Sequence, residues 1–198
     1  MKTRISNGYM KLGALANMSL TPGRTCSAEA CKTCLNGGCY AMKSYRMYKN
    51  VRVAWDANTE LALHDLPAME ADLMKYFGAV TAPRFFRVHV GGDFVSREYA
   101  EMWARVAACN PGTNFLAFTK QWDMIRGVEF PENFSIVLSS WPGTVIPEDL
   151  RELYSVAWLD DGSEDIPADA LECPGNCATC GVCWSLAKRG FDVRFKKH

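Results

Sequence analysis

Cysteine is the residue of this chain with the most evident chemistry, and eight of its nine cysteines fall into two short runs. The amino-terminal cysteine group has the spacing Cys26-x4-Cys31-x2-Cys34-x4-Cys39. The carboxy-terminal cysteine group has the spacing Cys173-x3-Cys177-x2-Cys180-x2-Cys183. Thiolates so close in sequence can converge on one centre, as they do in iron–sulfur proteins and in structural zinc sites. The two groups therefore predict two metal centres.

The spacing favours iron–sulfur clusters, with two 4Fe–4S centres as the expected form. Zinc sites usually pair two Cys-x2-Cys knuckles that lie about 12–20 residues apart, whereas each group here is one compact run. One zinc arrangement stays open, in which Cys31 and Cys34 pair with Cys180 and Cys183. The remaining cysteine, Cys109, is expected to be a small buried apolar residue.

Disulfide bonds are disfavoured by the odd number of cysteines and by the absence of a secretory signal at the start of the chain. No run of about 18 apolar residues predicts a membrane span. The chain has 198 residues, and its 22 basic and 22 acidic residues balance, so the whole protein has no basic footprint for nucleic acid. We expect a cytoplasmic protein made of a single domain, residues 1–198.

Strand and helix patterns alternate through the middle of the chain and predict an α/β fold with a mostly parallel sheet. Residues 1–40 are expected to form an irregular cysteine-rich loop, residues 41–170 a βα core, and residues 171–198 the second cysteine group and a final strand. Strands are predicted at 84–90, 114–119, 134–140, 155–159 and 191–195, and helices at 40–63, 67–77, 97–109, 147–153 and 184–189. A complete eight-stranded barrel usually needs about 250 residues, so an open sheet or a partial βα barrel is expected.

Ligands of open α/β sheets bind beyond the carboxyl ends of the strands. This rule selects as candidate cofactor-binding residues His89, Gly91, Gly92, Asp93 and Lys120, with Thr119, Ser139, Ser140 and Trp141 as further neighbours. Alternation along the strand puts His89 on the same face as Phe85 and Arg87. Each candidate also has a structural interpretation: a packed histidine, a tight turn, or a solvated lysine.

A basic strip recurs every three residues at Lys43, Arg46, Lys49 and Arg52, interleaved with aromatic side chains. Such strips are usually solvated helix faces, and nucleic-acid contact is the less favoured interpretation. The strip supports an alternative function, a zinc-stabilised module that contacts nucleic acid or a host protein.

The sequence resembles the phage-associated gene product 88 family. The resemblance rests on Cys34-Leu-Asn-Gly-Gly-Cys39-Tyr40-Ala41-Met42-Lys43, on HVGGDF and FLAFTK downstream, and on the terminal cysteines, and it covers the chain from about Ser6 onward. It implies an iron–sulfur protein of unassigned function and, for a phage-encoded protein, the cytoplasm of the host.

A looser similarity links the chain to radical S-adenosylmethionine (SAM) enzymes, which use a partial or full βα barrel. Cys173, Cys177 and Cys180 match the C-x3-C-x2-C spacing of that superfamily, but they stand near the end of the chain instead of after the first strand. Residues 91–93 resemble the Gly-Gly-Glu-type turn that contacts SAM. The similarity implies a degenerate radical-SAM-like enzyme, with SAM as a possible cofactor.

The sequence thus predicts an iron–sulfur protein for electron transfer or for radical-SAM-like cluster chemistry. An electron donor or a small-molecule substrate is its expected partner.

Overall fold

The computed structural model describes residues 2–9, 13–36, 39–141, 143–162, 166–186 and 190–196. The strands are β1 (Ser6–Tyr9), β2 (Gly13–Met18), β3 (Phe85–Val88), β4 (Asn114–Thr119), β5 (Phe134–Ser140), β6 (Ser155–Asp160), β7 (Leu171–Glu172) and β8 (Val193–Lys196). The helices are α1 (Ala28–Asn36), α2 (Tyr40–Met47), α3 (Lys49–His64), α4 (Leu66–Phe77), α5 (Arg97–Ala108), α6 (Trp122–Ile125), α7 (Glu148–Arg151) and α8 (Cys177–Cys180). A 3-10 turn follows at Val182–Ser185.

The strands form one sheet in the order β1-β2-β3-β4-β5-β6-β8-β7. β1 pairs with β2 in the antiparallel sense, and every other neighbouring pair in the described sheet is parallel. β1 and β7 lie at opposite edges, so the sheet is open. The predicted fold class, an open and mostly parallel α/β sheet, is confirmed.

The two faces of the sheet are covered by different parts of the chain. On one face, Phe86 and Phe115 pack with Trp103 of α5 and Leu73 of α4 in the larger core. Successive strand residues point to opposite faces, and Leu116, the neighbour of Phe115, belongs to a second apolar cluster with residues from the end of the chain. The carboxy-terminal segment thus covers the face opposite helices α4 and α5.

The prediction of an irregular loop over residues 1–40 is wrong, because this segment contributes β1, β2 and α1. The sequence of β2, GALANM, has no β-branched residue and gives no local strand signal. It becomes a strand because it pairs along β3, with Ala16 opposite Phe86 and Met18 opposite Val88. Pairing with a neighbouring strand decides the conformation here.

The single helix predicted at residues 40–63 is two helices, α2 and α3, separated by Tyr48 in an extended conformation. No glycine or proline marks the break. Tyr45 of α2 stacks on Trp55 of α3 at 6.3 Å between ring centroids and donates a hydrogen bond to Asp56. These contacts fold α2 back against α3.

Most other elements follow the sequence prediction. β4 and β5 have the predicted bounds, and Ser96 caps α5 by accepting a hydrogen bond from the amide of Tyr99. β3 stops at Val88, two residues short of the prediction, because His89 adopts a left-handed backbone conformation with φ 59°. The helical turn begins at Val182 instead of Trp184, and residues 187–189 of that prediction lie outside the described residues.

Candidate metal centres

The carboxy-terminal cysteine group lies on the second face of the sheet, between β7 and β8. Cys173 follows β7, and its amide donates a hydrogen bond to the carbonyl of Arg194 in β8. Cys177 and Cys180 begin and end α8, and Gly181 then turns the chain with a left-handed φ of 65°. A residue with a Cβ rarely adopts this conformation, so glycine is the residue that brings Cys183 round beside the helix.

Apolar side chains surround this group. Cys173, Cys177 and Cys183 pack against the cluster that contains Leu116 and Trp184. Burial, with the nearby negative charge that Cys173, Cys177 and Cys180 would carry as thiolates, raises the pKa of the Cys183 thiol to about 12, while the positive charge of Arg87 acts in the opposite direction. Cys183 is therefore close enough to the other three thiols to be influenced by their charge, and ligation of one metal by all four stays a prediction.

The amino-terminal cysteine group lies beyond the carboxyl end of β2. The chain leaves β2 through a turn, and Ser27 then starts α1 by accepting a hydrogen bond from the amide of Ala30 at 3.0 Å. Burial, together with negative charge at Asp93, Cys31 and Cys39, raises the pKa of the Cys26 thiol to about 12, although a hydrogen bond with the backbone of Gly23 acts in the opposite direction. Cys26, Cys31 and Cys39 thus lie near one another at the edge of the sheet where ligands of α/β proteins bind.

Within the described residues, no three Cys, His, Asp or Glu side chains already converge tightly enough to hold a metal ion. The side chain of Cys34 lies outside the described residues. The cysteine sets supply the correct donor type and number for an iron–sulfur cluster.

The turn at Gly91 and Gly92 is filled by the protein's own atoms. A Cβ on Gly91 would lie 2.8 Å from the ring of Trp55 and 3.1 Å from Cβ of Ala41. A Cβ on Gly92, where φ is 78°, would lie 2.5 Å from Oγ1 of Thr25 and 2.7 Å from Cβ of Leu20. Close packing against helices α2 and α3 therefore accounts for Gly91, and close packing against the segment after β2 accounts for Gly92.

Gly92→Ala is expected to destabilise the protein more than Gly127→Ala does. Both glycines have a positive φ, but a Cβ on Gly127 meets only the end of the Arg97 side chain, at 3.5 Å. Both variants place alanine at a positive φ, so they share the cost of that backbone strain. The remaining difference in free energy of unfolding measures the collision with Thr25 and Leu20, and we expect it to be about 1–3 kcal/mol. Urea unfolding of the two variants gives this difference, and equal losses would mean that the turn is not packed as described.

Asp93 is buried, and its carboxylate accepts hydrogen bonds from groups at the ends of β3 and β4. Oδ1 accepts hydrogen bonds from the amide of Phe94 at 2.8 Å and from the hydroxyl of Thr119 at 2.6 Å, and Oδ2 accepts one from the amide of Lys120 at 2.8 Å. Burial raises the pKa of this carboxyl group, while the three hydrogen bonds lower it. Asp93 therefore joins two strand ends, and its charge lies beside Cys26.

His89 does not lie on the face predicted by strand alternation. Its left-handed backbone turns the ring to the helix side of the sheet, where Nε2 lies 2.9 Å from the hydroxyl of Tyr99 and the ring packs on Phe94. Burial, followed by the positive charge of Arg87, lowers the pKa of the imidazole to about 3. Within the described residues Nδ1 has no hydrogen-bond partner. The ring is thus a neutral core group.

The stability of the protein is expected to fall with pH below about 6.5 because of His89. The folded state holds the imidazole neutral down to about pH 3, whereas the unfolded chain protonates it near its usual pKa of about 6.5. The unfolded state therefore binds one more proton in this window, which lowers the free energy of unfolding by about 1.4 kcal/mol for each pH unit.

His89→Asn removes the titration and keeps a residue that tolerates a positive φ. Urea unfolding between pH 7 and pH 5 should show a shallower pH dependence for this variant than for the wild type. The contribution of Asp93, whose raised pKa acts in the opposite sense, is present in both proteins and cancels in the comparison. Equal slopes would contradict the buried neutral ring.

Lys120 and the other strand-end candidates lie at the carboxyl edge, as predicted. The ammonium of Lys120 lies 4.8 Å above the ring of Trp141, a cation–π arrangement. Thr119 accepts a hydrogen bond from the amide of Gln121 as well as donating to Asp93. A cofactor-binding role for His89, Gly91, Gly92, Asp93 and Lys120 stays a prediction, and the first four have the structural roles just described.

Sequence reasoning did not select two residues that hold the strand ends near the candidate site. The buried hydroxyl of Ser19 accepts hydrogen bonds from the amides of Val90 and Gly91, each at 3.1 Å. The guanidinium of Arg87 lies 4.1 Å from the ring centroid of Phe118 and donates to the carbonyl of His89. Arg87 was detectable from its position two residues after Phe85, whereas Ser19 follows a strand that was not predicted.

Cys109 is exposed at the end of α5, so the prediction that it is buried is wrong. The buried side of α5 ends at Ala107, and the next two residues are exposed to solvent.

A groove of about 520 Å³ lies nearby, lined by residues such as Arg105 and Phe130, and includes none of the predicted site residues. In the described part of the chain, no helix is both long and apolar enough to cross a membrane.

An open parallel sheet with a cysteine group on one face and another beyond its strand ends defines a cysteine-rich α/β protein. The family known as Gene product 88 matches residues 2–186, so the chain belongs to the Gene product 88 family. This confirms the resemblance to a phage protein family that the cysteine motifs imply.

Two curated relatives carry the same description. The chain is 26% identical over 205 residues to the Gene 88 protein of Mycobacterium phage L5, an alignment that covers 89% of this chain and 85% of the relative. It is also 26% identical over 206 residues to the Gene 88 protein of Mycobacterium phage D29, with the same coverage. No solved structure matches the chain.

Proposed function

We propose that the protein binds iron–sulfur clusters through its two cysteine groups and uses them for electron transfer. The observation that carries the proposal is the carboxy-terminal group, where four cysteines share one partly buried environment against an apolar sheet face. Such a cluster, when bound, supplies a site that gains and loses one electron. The residues of the chain determine the burial, the charge and the hydrogen bonds around it.

The surroundings of the carboxy-terminal group suit a redox cluster. The amide of Gly175 donates a hydrogen bond to Sγ of Cys173 at 3.4 Å, and hydrogen bonds of this kind raise the reduction potential of iron–sulfur centres. Trp184 is buried directly after Cys183, and its indole donates to the carbonyl of Phe86. The indole therefore covers the cysteines on the protein side and ties them to β3.

Raised thiol pKa values support metal-driven assembly. A thiol such as Cys183, whose pKa is raised to about 12, stays protonated at neutral pH, and cysteine must lose that proton to bind a metal. The charge of the metal supplies the driving force, so binding releases protons and strengthens as the pH rises. Because it stays protonated, the Cys183 thiol is also a weak nucleophile.

The alternative from the sequence is zinc in the same sites. Tetrahedral zinc also takes four thiolates, but its ligands usually come as two separate Cys-x2-Cys pairs. The thiols that influence Cys26 and Cys183 come from their own groups in each case, which favours one centre for each run of cysteines. On this compact grouping we favour iron–sulfur clusters over zinc.

A radical-SAM-like reaction would need SAM bound at a cluster, and the matching C-x3-C-x2-C spacing lies in the carboxy-terminal group. The turn at residues 91–93, which resembles a SAM-contacting motif, is packed against Trp55 and Thr25. SAM binding stays a sequence-based prediction, and titration calorimetry of reconstituted protein with SAM tests it. Binding followed by SAM cleavage under reduction would make the protein an enzyme instead of an electron carrier.

Anaerobic purification followed by iron, sulfide and zinc analysis tests the proposed function directly. We expect a brown protein with broad visible absorption and about eight irons with matching sulfide for each chain, the content of two 4Fe–4S clusters. Zinc without sulfide in a colourless protein would overturn the proposal and make the cysteines structural.

A further inference from the structure

The segment around the amino-terminal cysteine group has a strong charge bias in a chain of zero net charge. Residues 30–55 contain five cations, Lys32, Lys43, Arg46, Lys49 and Arg52, and no aspartate or glutamate. Lys43, Arg46 and Lys49 are exposed. Among the ion pairs formed by the described residues, none involves these three side chains.

Large apolar side chains are exposed between these cations. Tyr40, Met47, Tyr48 and Val53 have exposed fractions of 58%, 59%, 55% and 56%. Tyrosine, methionine and arginine are enriched at protein–protein interfaces. The surface formed by these four side chains with Lys43, Arg46 and Lys49 is called the basic surface below.

The basic surface adjoins the amino-terminal cysteine group. Helix α2 begins directly after Cys39, and the hydroxyl of Tyr40 donates a hydrogen bond to the carbonyl of Val90 at 2.7 Å. On the buried side of α2, Ala41 packs closely against the backbone of Gly91, where there is no room for a Cβ. A macromolecule seated on the exposed side of α2 would therefore sit beside the cysteines.

We infer that the basic surface docks an acidic electron-carrier protein, which passes one electron to an oxidised cluster in the amino-terminal group. This inference rests on the proposed function. The carrier is oxidised by one electron and the cluster is reduced by one, with no bond formed or broken. Opposite charge on the two surfaces steers the encounter, and the apolar side chains supply the small contact typical of redox complexes.

Single-stranded nucleic acid is the other polyanion that this charge would attract. Stacking on bases uses flat rings, which Tyr40 and Tyr48 provide. Met47 and Val53 provide no flat ring, and their exposure beside the cations matches the mixed apolar and basic composition of a protein interface. The composition therefore favours a protein partner.

Charge reversal at the basic surface tests the inference. The variant Lys43→Glu/Lys49→Glu is compared with Lys2→Glu/Lys75→Glu, which makes the same change in net charge at exposed lysines outside the basic surface. The probe is a reduced, acidic 2Fe–2S ferredoxin, and stopped-flow absorbance follows oxidation of the probe by the reconstituted protein. We expect the first variant to slow this second-order reaction at least about tenfold at low salt and to lose most of its salt dependence. The second variant should stay within about twofold of the wild type.

Binding of the oxidised ferredoxin, measured by titration calorimetry, separates the two levels of the argument. In one outcome the wild type binds ferredoxin but assembles no cluster, and the first variant does not bind. That outcome would overturn the proposed function and the electron-transfer step but would support the docking surface. A wild-type protein that carries clusters but accepts electrons equally fast in both variants would overturn the docking inference alone. Tighter binding of a single-stranded oligonucleotide than of ferredoxin, lost in Tyr40→Ala/Tyr48→Ala, would replace the protein partner by nucleic acid.

Discussion

Replacing Cys177 and Cys183 together by serine should halve the iron content of the reconstituted protein, from about eight irons for each chain to about four. The substitution removes two ligands from the carboxy-terminal group, which lies on the sheet face away from α4 and α5. The amino-terminal group follows β2 at the sheet's carboxyl edge and keeps its own ligands. Iron and sulfide analysis, with the visible spectrum, measures the effect.

The matched control for this experiment is Cys109→Ser. Cys109 is exposed at the end of α5 and belongs to neither group, so its replacement should leave the iron content unchanged. A double variant that keeps all of its iron would show that the carboxy-terminal cysteines are not ligands. A variant that loses all of its iron would show that the two groups share one centre.

Phe86→Ala is expected to lower the free energy of unfolding by about 3–5 kcal/mol. Phe86 is fully buried in β3, with ring centroids 4.9 Å from Phe77 and 5.9 Å from Trp103. Removing the ring leaves a cavity between the sheet and its helices, and a cavity adds to the cost of lost burial. Urea unfolding followed by tryptophan fluorescence measures the change.

Phe191→Ala makes the same chemical change at a side chain that is 42% exposed. Its expected cost is below about 1 kcal/mol, because most surface substitutions change stability only slightly. Similar losses in the two variants would contradict the placement of the core.

The central strands and their helices could be predicted because each has a local signal. The aromatic and β-branched run of β5 is buried along its whole length, and the composition of such a run identifies a central parallel strand. Ser96 stands immediately before α5 and caps it, which its sequence position indicates. Local chemistry and final structure agree at these positions.

The edge of the sheet that carries β1 and β2, and the break between α2 and α3, could not be predicted, because distant contacts determine them. β2 is a strand through its pairing with β3, and Tyr48 is extended because Tyr45 reaches Trp55 and Asp56 across the break. His89 shows the same limit at a single residue. Its positive φ reverses the side of the sheet on which the ring lies, and both adjacent residues are valines, which do not indicate such a change.

The cysteine sets were visible in the sequence, but their surroundings were not. Spacing alone grouped Cys173, Cys177, Cys180 and Cys183, and the structure places them in one environment. The amides, the indole and the guanidinium around them come from β3 and from the turns of the segment itself. These neighbours depend on sheet order, which a list of motifs does not contain.

The position of β7 connects the proposed carboxy-terminal cluster to the integrity of the sheet edge. This strand has only two residues, forms the outer edge of the sheet and leads directly into Cys173. Side-chain contacts from Lys196 and Arg194 to Glu172 hold it against β8. If a cluster anchors the segment that follows, its destruction by air would release this short strand and expose the backbone of β8. Unpaired sheet edges promote self-association, so oxidative damage at the cysteines would appear as aggregation as well as lost colour.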